Sequence, residues 1–152
     1  MPQKLKAGID YIAITTPFYC TDGKGLFVLH KRGNRCRDEQ GCWDFGGGKL
    51  EFGEDLAEGV LREVKEEYGV EGKILEQLPA ISILRENHGT QTHWLAIPFF
   101  IKVDLKKVVI NDADKIDQVG YFMLDELPDP LHSGARYTIK KYQKYFDKYK
   151  KK

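Results

Sequence analysis

Apolar residues recur along residues 55–68 with the period of an α-helix. Six apolar side chains share one side of such a helix: Leu56, Ala57, Val60, Leu61, Val64 and Tyr68. Asp55 suits the start of the helix, where the dipole favours a carboxylate. Gly69 suits its end, because glycine adopts a left-handed conformation at little cost. The pattern therefore predicts an amphipathic helix over residues 55–68.

Runs rich in β-branched and aromatic residues predict strands on both sides of this helix. The predicted strands are residues 8–20 with an interruption at Pro17, 26–32, a short strand around Trp43 and Phe45, 72–86 with a break at Pro79, 92–103 with an irregularity at Pro98, and 118–124. Residues 87–90 predict a hairpin turn. Aromatic residues at helical spacing predict a C-terminal helix over about residues 134–150.

Composition narrows the class of protein. The 152 residues suit one domain, and 41% apolar with 31% charged residues is typical of a soluble globular protein. A net charge of +1 argues against a protein that coats nucleic acid. The first ten residues are too polar for a secretory signal, and three cysteines are an odd number, so we expect a reduced cytoplasm. A membrane span is not expected either.

Three carboxylates lie on one face of the predicted helix, since Glu63, Glu66 and Glu67 are related as i, i+3 and i+4. They repel one another unless cations offset their charge. Arg62 can pair with Glu66, and hard divalent ions such as Mg²⁺ or Mn²⁺, which prefer oxygen ligands, can offset the rest. The alternative is an acidic helix face that is simply solvated.

The spacing around these carboxylates distinguishes the two interpretations. Residues 48–70 read G-x5-E-x7-R-E-V-x-E-E-x-G-V, and every fixed position resembles the Nudix box, the signature of the Nudix hydrolase family. The resemblance implies an α/β fold, the Nudix α/β/α sandwich with a mixed β-sheet, built by residues 1–152 as a single domain. It places the box helix on one side of the sheet and the C-terminal helix on the other.

The resemblance also implies a role for each box residue. Glu63, Glu66 and Glu67 match the family's ligands for a divalent metal, and Glu67 or Glu63 is expected to help activate water. Arg62 matches the arginine that orients these glutamates. Glu54 matches a carboxylate that supports the loop or contacts the metal through water.

The glycine loop before the helix carries further expectations. The backbone carbonyl of Gly48 matches a position that often joins the metal shell, and Gly47, Gly48 and Lys49 are expected to contact substrate. One departure is Gly46, which stands where family members often have proline.

Residues outside the box are less constrained. Arg32, at the end of a predicted strand, is expected to bind substrate phosphate, because guanidinium groups bind phosphate oxygens in bidentate fashion. For Arg35 and Arg37 in the following loop, a solvated role is favoured. A further metal-binding carboxylate is open among three residues: Glu86, Asp114 and Asp117.

The reaction implied is metal-dependent hydrolysis of a pyrophosphate bond in a nucleoside diphosphate linked to another group. A nucleoside triphosphate, as for MutT-like enzymes, is the leading substrate, and ADP-ribose or a nucleotide sugar is the alternative. Capped RNA is a third option, supported only by the basic C-terminal tail. A non-catalytic nucleotide sensor stays open, although sensors of this family commonly lose box glutamates. A nucleotide-type small molecule is the expected partner, nucleic acid is not, and monomer and homodimer both stay open.

Overall fold

The computed structural model describes residues 2–150. It contains nine strands, three α-helices and a short 3-10 helix at Leu105–Lys107, all within these residues. The strands are β1 (Ala13–Thr15), β2 (Phe18–Thr21), β3 (Leu26–Arg32), β4 (Trp43–Asp44), β5 (Lys73–Gln77), β6 (Ile81–Asn87), β7 (Thr90–Ala96), β8 (Phe99–Lys102) and β9 (Ile116–Met123). The helices are α1 (Leu56–Tyr68), α2 (Ser133–Lys141) and α3 (Gln143–Asp147).

Helix α1 begins and ends where its sequence predicts. The Asp55 side chain caps it by accepting a hydrogen bond from the Ala57 amide, and Gly69 ends it in a left-handed conformation with φ of 63°. Val60, Val64 and Tyr68 are buried along its apolar side. The predicted amphipathic helix is confirmed.

The strands form two mixed sheets, whereas the sequence predicted one. Strands β1, β7 and β6 make a three-stranded sheet, and the other strands make a six-stranded sheet. The predicted strands 8–20 and 92–103 each divide at a proline, Pro17 and Pro98, which removes a ladder hydrogen bond. Because β1 pairs with β7 and β2 pairs with β8, both in parallel, the two breaks lie side by side. Both segments, β1–β2 and β7–β8, therefore pass from one sheet to the other at the same level.

Alternating side chains divide the six-stranded sheet into two faces. Phe18, Val28 and Ile101 pack with Val60 and Val64 of α1. On the opposite face, a second cluster joins the sheet to α2 and α3: Tyr19, Phe27, Leu29, Phe100, Tyr142 and Phe146. The predicted sandwich of helices on both sides of mixed sheet is confirmed.

The C-terminal helix is interrupted, contrary to the continuous helix predicted over about residues 134–150. Tyr142 separates α2 from α3 with φ of −107° and ψ of 28°. Its side chain is buried, and its hydroxyl donates a 2.6 Å hydrogen bond to the Pro79 carbonyl. We attribute the break to this anchoring of Tyr142. Within residues 2–150, no helix is both long and apolar enough to cross a membrane.

Candidate active site

The glycine loop crosses the point where β1 ends and β2 begins. The Gly48 carbonyl accepts a 2.8 Å hydrogen bond from the Thr16 amide, and the Gly46 carbonyl accepts one of 3.0 Å from the Phe18 amide. A Cβ atom on Gly46 would lie 2.0 Å from the Phe18 ring, and one on Gly48 would lie 2.0 Å from the Glu63 carboxyl carbon. Close packing explains why glycine, and not a larger residue, occupies both positions.

Arg62 holds three carboxylates at the start of the site. Its Nε and Nη2 atoms donate to the two oxygens of Glu54, at 2.6 and 2.9 Å. Its Nη1 atom donates to Glu63 at 2.9 Å and to Glu66 at 3.1 Å. Such bidentate and shared contacts fix the direction of each carboxylate. The hydrogen bonds from Arg62 lower the pKa of Glu54 to about 2.

Glu63 and Glu67 remain short of counter-charge despite Arg62. Burial raises the pKa of Glu67 well above its ordinary value of 4.5, against a 3.2 Å hydrogen bond from the Gly47 amide, and the negative charges of Glu63, Asp44 and Asp112 add to the rise. Burial also raises the pKa of Glu63, against the pull of Arg62. Glu66 is more open to solvent, with 58% of its side chain exposed. The carboxylate oxygens of Glu63, Glu66 and Glu67 suit a hard divalent cation, but the three groups do not converge within 4.8 Å of one another, as Asp38, Glu39 and His132 do among the described residues.

Two residues assigned to the metal by resemblance have their oxygens engaged elsewhere. The Gly48 carbonyl also accepts a 3.1 Å hydrogen bond from the Thr15 hydroxyl. Besides Arg62, Glu54 accepts a 3.1 Å hydrogen bond from the Glu51 amide, which ties it to the loop. The carboxylates of Glu63, Glu66 and Glu67 thus remain the principal candidate ligands, and a metal contact by Gly48 or Glu54 stays a prediction.

A buried contact positions the end of α1 that carries Glu67. The Tyr68 hydroxyl and His30 Nδ1 are joined by a 2.6 Å hydrogen bond between helix and sheet. Burial lowers the pKa of His30 to about 4, with smaller contributions from Arg32 and His132, so the imidazole is neutral at physiological pH. The contact therefore places no additional positive charge beside the carboxylates.

A cleft of about 600 Å³ opens beside Glu67 and Gly47. Arg32 lines it but is already paired, since it donates to the Asp38 carboxylate at 2.8 Å and lies 3.6 Å from Asp44. Arg35 and Arg37, for which a solvated role was favoured, also line the cleft. The cleft thus gathers three guanidinium groups near the carboxylates of α1.

A second cavity of about 300 Å³ adjoins this cleft and shares part of its lining, including Arg37, Asp38 and Gly47. Gly47, Gly48 and Lys49 line it together with Arg85 and Trp94. The predicted substrate-binding residues of the loop therefore adjoin two spaces, and Gly47 borders both.

The three candidate carboxylates outside the box do not line either space. Asp114 pairs with Arg35 on the surface at 3.1 Å. Glu86 lies on β6, opposite Gln91 of β7, and Asp117 lies close to Gly33. Instead, the negative charge of Asp112, a residue that sequence reasoning did not single out, contributes to the raised pKa of Glu67.

Sequence reasoning also missed a network at the inner end of the cleft. His132 Nε2 lies 2.7 Å from Glu39, and its Nδ1 accepts a 2.9 Å hydrogen bond from the Gly134 amide. Glu39 accepts two further hydrogen bonds from Ser133, at 2.8 and 2.7 Å. Asp38, Glu39 and His132 come close enough to resemble a metal site. Their donors and acceptors are already matched, so we interpret them as a clasp between the arginine-bearing loop and α2.

Comparison with known proteins adds evidence on the family. The sequence model of the NUDIX domain family matches residues 13–142. An ADP-ribose pyrophosphatase of Saccharomyces cerevisiae is 36% identical over 74 residues, covering 49% of this chain and 32% of the relative. An 8-oxo-dGDP phosphatase of Mus musculus is 25% identical over 135 residues, covering 87% and 38%. This chain therefore spans about a third of the length of these two relatives.

A solved structure agrees with the fold. The MutT NUDIX hydrolase from Burkholderia pseudomallei superimposes with a TM-score of 0.74 at 25% sequence identity, covering 87% of this chain and 98% of the other. The similarity covers most of this chain and therefore supports the fold as a whole.

Proposed function

The chain belongs to the Nudix family, and on that premise we propose that it is a divalent-metal-dependent hydrolase that cleaves a pyrophosphate bond of a nucleoside triphosphate. One observation carries the proposal: Glu67, with its pKa raised by burial and no basic side chain paired with it among the described residues, lies on a cleft that is also lined by arginines. A cation offsets the charge of the carboxylates, and guanidinium groups suit the phosphates of the substrate.

In this proposal, Glu63, Glu66 and Glu67 hold one or more Mg²⁺ or Mn²⁺ ions. When bound, such an ion supplies a Lewis acid that neutralises charge on phosphate oxygens and lowers the pKa of water. Arg62 keeps Glu63 and Glu66 oriented through hydrogen bonds of 2.9 and 3.1 Å. The carboxylates have to be held in this orientation for the ion and the substrate phosphates to bind in a single defined geometry.

We assign the proton-accepting role to Glu67. It lines the cleft, and the Gly47 amide fixes one of its oxygens at 3.2 Å. A base has to lie within reach of the attacking water, and Glu67 is the α1 carboxylate that faces the cleft. The Glu63 carboxyl lies next to Gly48 and accepts a hydrogen bond from Arg62. These contacts suit a metal ligand better than a base.

Support for a nucleoside triphosphate comes from the arginine-lined cleft beside Glu67 and from the relatives. A cleft of about 600 Å³ is within the range of small-molecule sites, and it has basic residues along one wall: Arg32, Arg35, Arg37 and Lys115. The Burkholderia structure carries the name MutT, whereas the mouse relative is named for a nucleoside diphosphate, 8-oxo-dGDP.

ADP-ribose or a nucleotide sugar is the second candidate because a smaller cavity adjoins the cleft. A substrate with groups on both sides of its pyrophosphate could place one in the cleft and the other against Trp94 and Arg85. The yeast relative is named for ADP-ribose. We further propose that the protein acts in the cytoplasm, as a monomer or a homodimer.

The test is a hydrolysis screen with Mg²⁺, covering canonical and oxidised nucleoside triphosphates, ADP-ribose, nucleotide sugars and capped RNA. Glu67→Gln is the control, because it keeps the shape of the side chain and removes its charge. We expect turnover of nucleoside triphosphates that the control loses. Turnover of ADP-ribose alone would select the second candidate. Nucleotide binding without any turnover would contradict the enzyme and favour a sensor.

A further inference from the structure

One basic side chain stands at the junction of the cleft and the smaller cavity. The arginine and lysine residues that line the cleft are Arg32, Arg35, Arg37 and Lys115. Of these four, Arg37 alone also lines the cavity. Gly47, whose amide holds Glu67 through a 3.2 Å hydrogen bond, borders both spaces as well. A substrate group bound at this junction would therefore lie beside both Arg37 and the support of the proposed base.

Arg37 is also available for a ligand, in contrast to the other arginines of the cleft. Arg32 donates to the Asp38 carboxylate at 2.8 Å and to the Asp38 carbonyl at 3.1 and 3.2 Å. Arg35 is paired with Asp114 at 3.1 Å. Arg37 is exposed, and its side chain makes no hydrogen bond or ion pair with any residue in 2–150. A guanidinium group with uncommitted donors suits the oxygens of a phosphate.

The backbone two residues beyond Arg37 is held in a conformation that side chains rarely adopt. Glu39 has a φ of 45°, in the left-handed region. A residue other than glycine stays there only where surrounding contacts enforce it, and such positions cluster at functional sites. Here Glu39 accepts hydrogen bonds of 2.8 Å from the Ser133 amide and 2.7 Å from the Ser133 hydroxyl, and it lies 2.7 Å from His132 Nε2. These contacts attach the loop to the start of α2.

The residue between Arg37 and Glu39 is attached as well, on the opposite side. Asp38 is bound to Arg32 of β3 through both its carbonyl and its carboxylate. Because residues 38 and 39 are both fixed, the backbone that carries Arg37 is fixed too, while its side chain stays unengaged. A binding group that is held in place beforehand loses less conformational freedom when its ligand arrives, so it binds more tightly.

We propose that Arg37 binds the pyrophosphate of the substrate at this junction and that Glu39 is the residue that positions Arg37. The inference rests on the proposed function, and it selects one of the four basic residues as the phosphate contact. It holds for both candidate substrates, because a nucleoside triphosphate and ADP-ribose each contain a pyrophosphate. Arg37 touches the substrate, whereas Glu39 acts through Arg37 and touches only the protein.

The experiment measures binding of inorganic pyrophosphate by calorimetry in the presence of Mg²⁺, so it needs no knowledge of the group attached to the pyrophosphate. Arg37→Gln removes a charged hydrogen-bond donor and should weaken binding by about 10- to 100-fold. Glu39→Gln loosens the loop and should weaken it by about three- to tenfold. Arg136→Gln and Glu126→Gln change exposed residues that line neither space, and these matched controls should bind as the wild type does.

Steady-state kinetics separates a positioning role from a purely structural one. With any substrate that is turned over, Arg37→Gln and Glu39→Gln should raise KM and leave kcat within about threefold, because the contact binds ground state and transition state alike. Glu39→Gly adopts a φ of 45° without strain and so is expected to fold even where Glu39→Gln does not. It should raise KM as well. Folded Glu39 variants with the KM and pyrophosphate affinity of the wild type would overturn the positioning role.

The double variant tests whether Glu39 acts through Arg37. If it does, Arg37→Gln combined with Glu39→Gln should bind pyrophosphate no more weakly than Arg37→Gln alone, whereas additive losses would contradict the coupling. Pyrophosphate binding that depends on both residues, in a protein that turns over no substrate, would contradict the proposed function and support this inference. Turnover by the wild type, with pyrophosphate affinity unchanged in Arg37→Gln, would overturn this inference and leave the proposed function standing.

Discussion

Two groups of acidic residues each place one member, Glu67 or Asp38, on the same cleft, and the groups differ in how their charge is met. Of the α1 carboxylates, Glu63 and Glu66 share Arg62, whereas Glu67 accepts a hydrogen bond from the Gly47 amide, and burial raises the pKa of Glu63 and Glu67. The loop acids, Asp38 and Glu39, pair with Arg32 and His132 at 2.8 and 2.7 Å. Burial alone would raise the pKa of Glu39, but hydrogen bonds from Ser133 and the charges of His132 and Arg85 lower it.

This comparison gives a criterion for deciding whether a cluster of acidic residues indicates a bound cation. The loop acids and His132 lie within 4.8 Å of one another, whereas the three α1 carboxylates do not, so proximity alone does not separate a metal site from a structural clasp. What separates them is the balance of donors and acceptors within the protein. The loop acids are satisfied by their neighbours, whereas Glu67 has no basic partner among the described residues, and under the proposed function a cation offsets its charge.

The largest contrast is expected in turnover. Glu67→Gln should lower kcat by on the order of 10²- to 10⁴-fold, since it removes a metal ligand and the proposed base. Glu39→Gln makes the same chemical change in the loop acids and should lower kcat by no more than a few-fold. Steady-state kinetics at saturating Mg²⁺ measures both. Equal losses in the two variants would remove the distinction between the two groups.

A smaller effect is expected from the arginine that the α1 carboxylates share. Lysine cannot reproduce the fork that joins Arg62 to Glu54, Glu63 and Glu66, so Arg62→Lys should weaken Mg²⁺ binding by about 10- to 100-fold. Calorimetric titration with Mg²⁺ measures the change. Lys65→Arg, on the same helix but paired with Glu71, is the control. Unchanged Mg²⁺ affinity in Arg62→Lys would show that the carboxylates do not depend on this orientation.

In the metal-free protein, removing a carboxylate charge should change the stability in opposite directions in the two groups. A raised carboxyl pKa means that the folded state binds more protons than the unfolded state, so stability falls as pH rises above 4.5. Glu67→Gln should therefore raise the melting temperature of the metal-free protein at pH 7. For Glu39 the lowered pKa gives stability that is present above pH 4.5 and lost as pH falls through the folded value. Glu39→Gln should cost about 1–3 kcal/mol at pH 7, from its charged hydrogen bonds.

Thermal unfolding in EDTA, repeated with Mg²⁺, checks this reversal. Added Mg²⁺ should stabilise the wild-type protein and do so much less for Glu67→Gln, because a ligand stabilises the state that binds it. If Glu67→Gln melted below the wild type in EDTA, the α1 carboxylates would already be balanced without a cation.

The sequence predicted α1 and its carboxylates because both are local. Residues 55–69 contain the apolar stripe, the cap and the terminating glycine, and the Nudix resemblance added the sandwich. The split into two sheets depends on β1 aligning with β7 so that Pro17 and Pro98 coincide, a long-range register that no local pattern encodes. The loop acids were missed for the same reason, since Glu39 meets His132 only after the loop folds onto α2.

The smallest effect is expected from an acid that belongs to neither group. Asp114 and Arg35 are paired at 3.1 Å with about three quarters of each side chain exposed, and such pairs contribute about 0–1 kcal/mol. Asp114→Asn should therefore change stability by less than about 1 kcal/mol and leave Mg²⁺ affinity unaltered. Asp112→Asn is the matched variant, and its effect on Mg²⁺ affinity should be larger because the charge of Asp112 reaches Glu67. If Asp114→Asn weakened Mg²⁺ binding tenfold, a surface pair would belong to the metal site, and the balance of donors and acceptors would no longer separate the two groups.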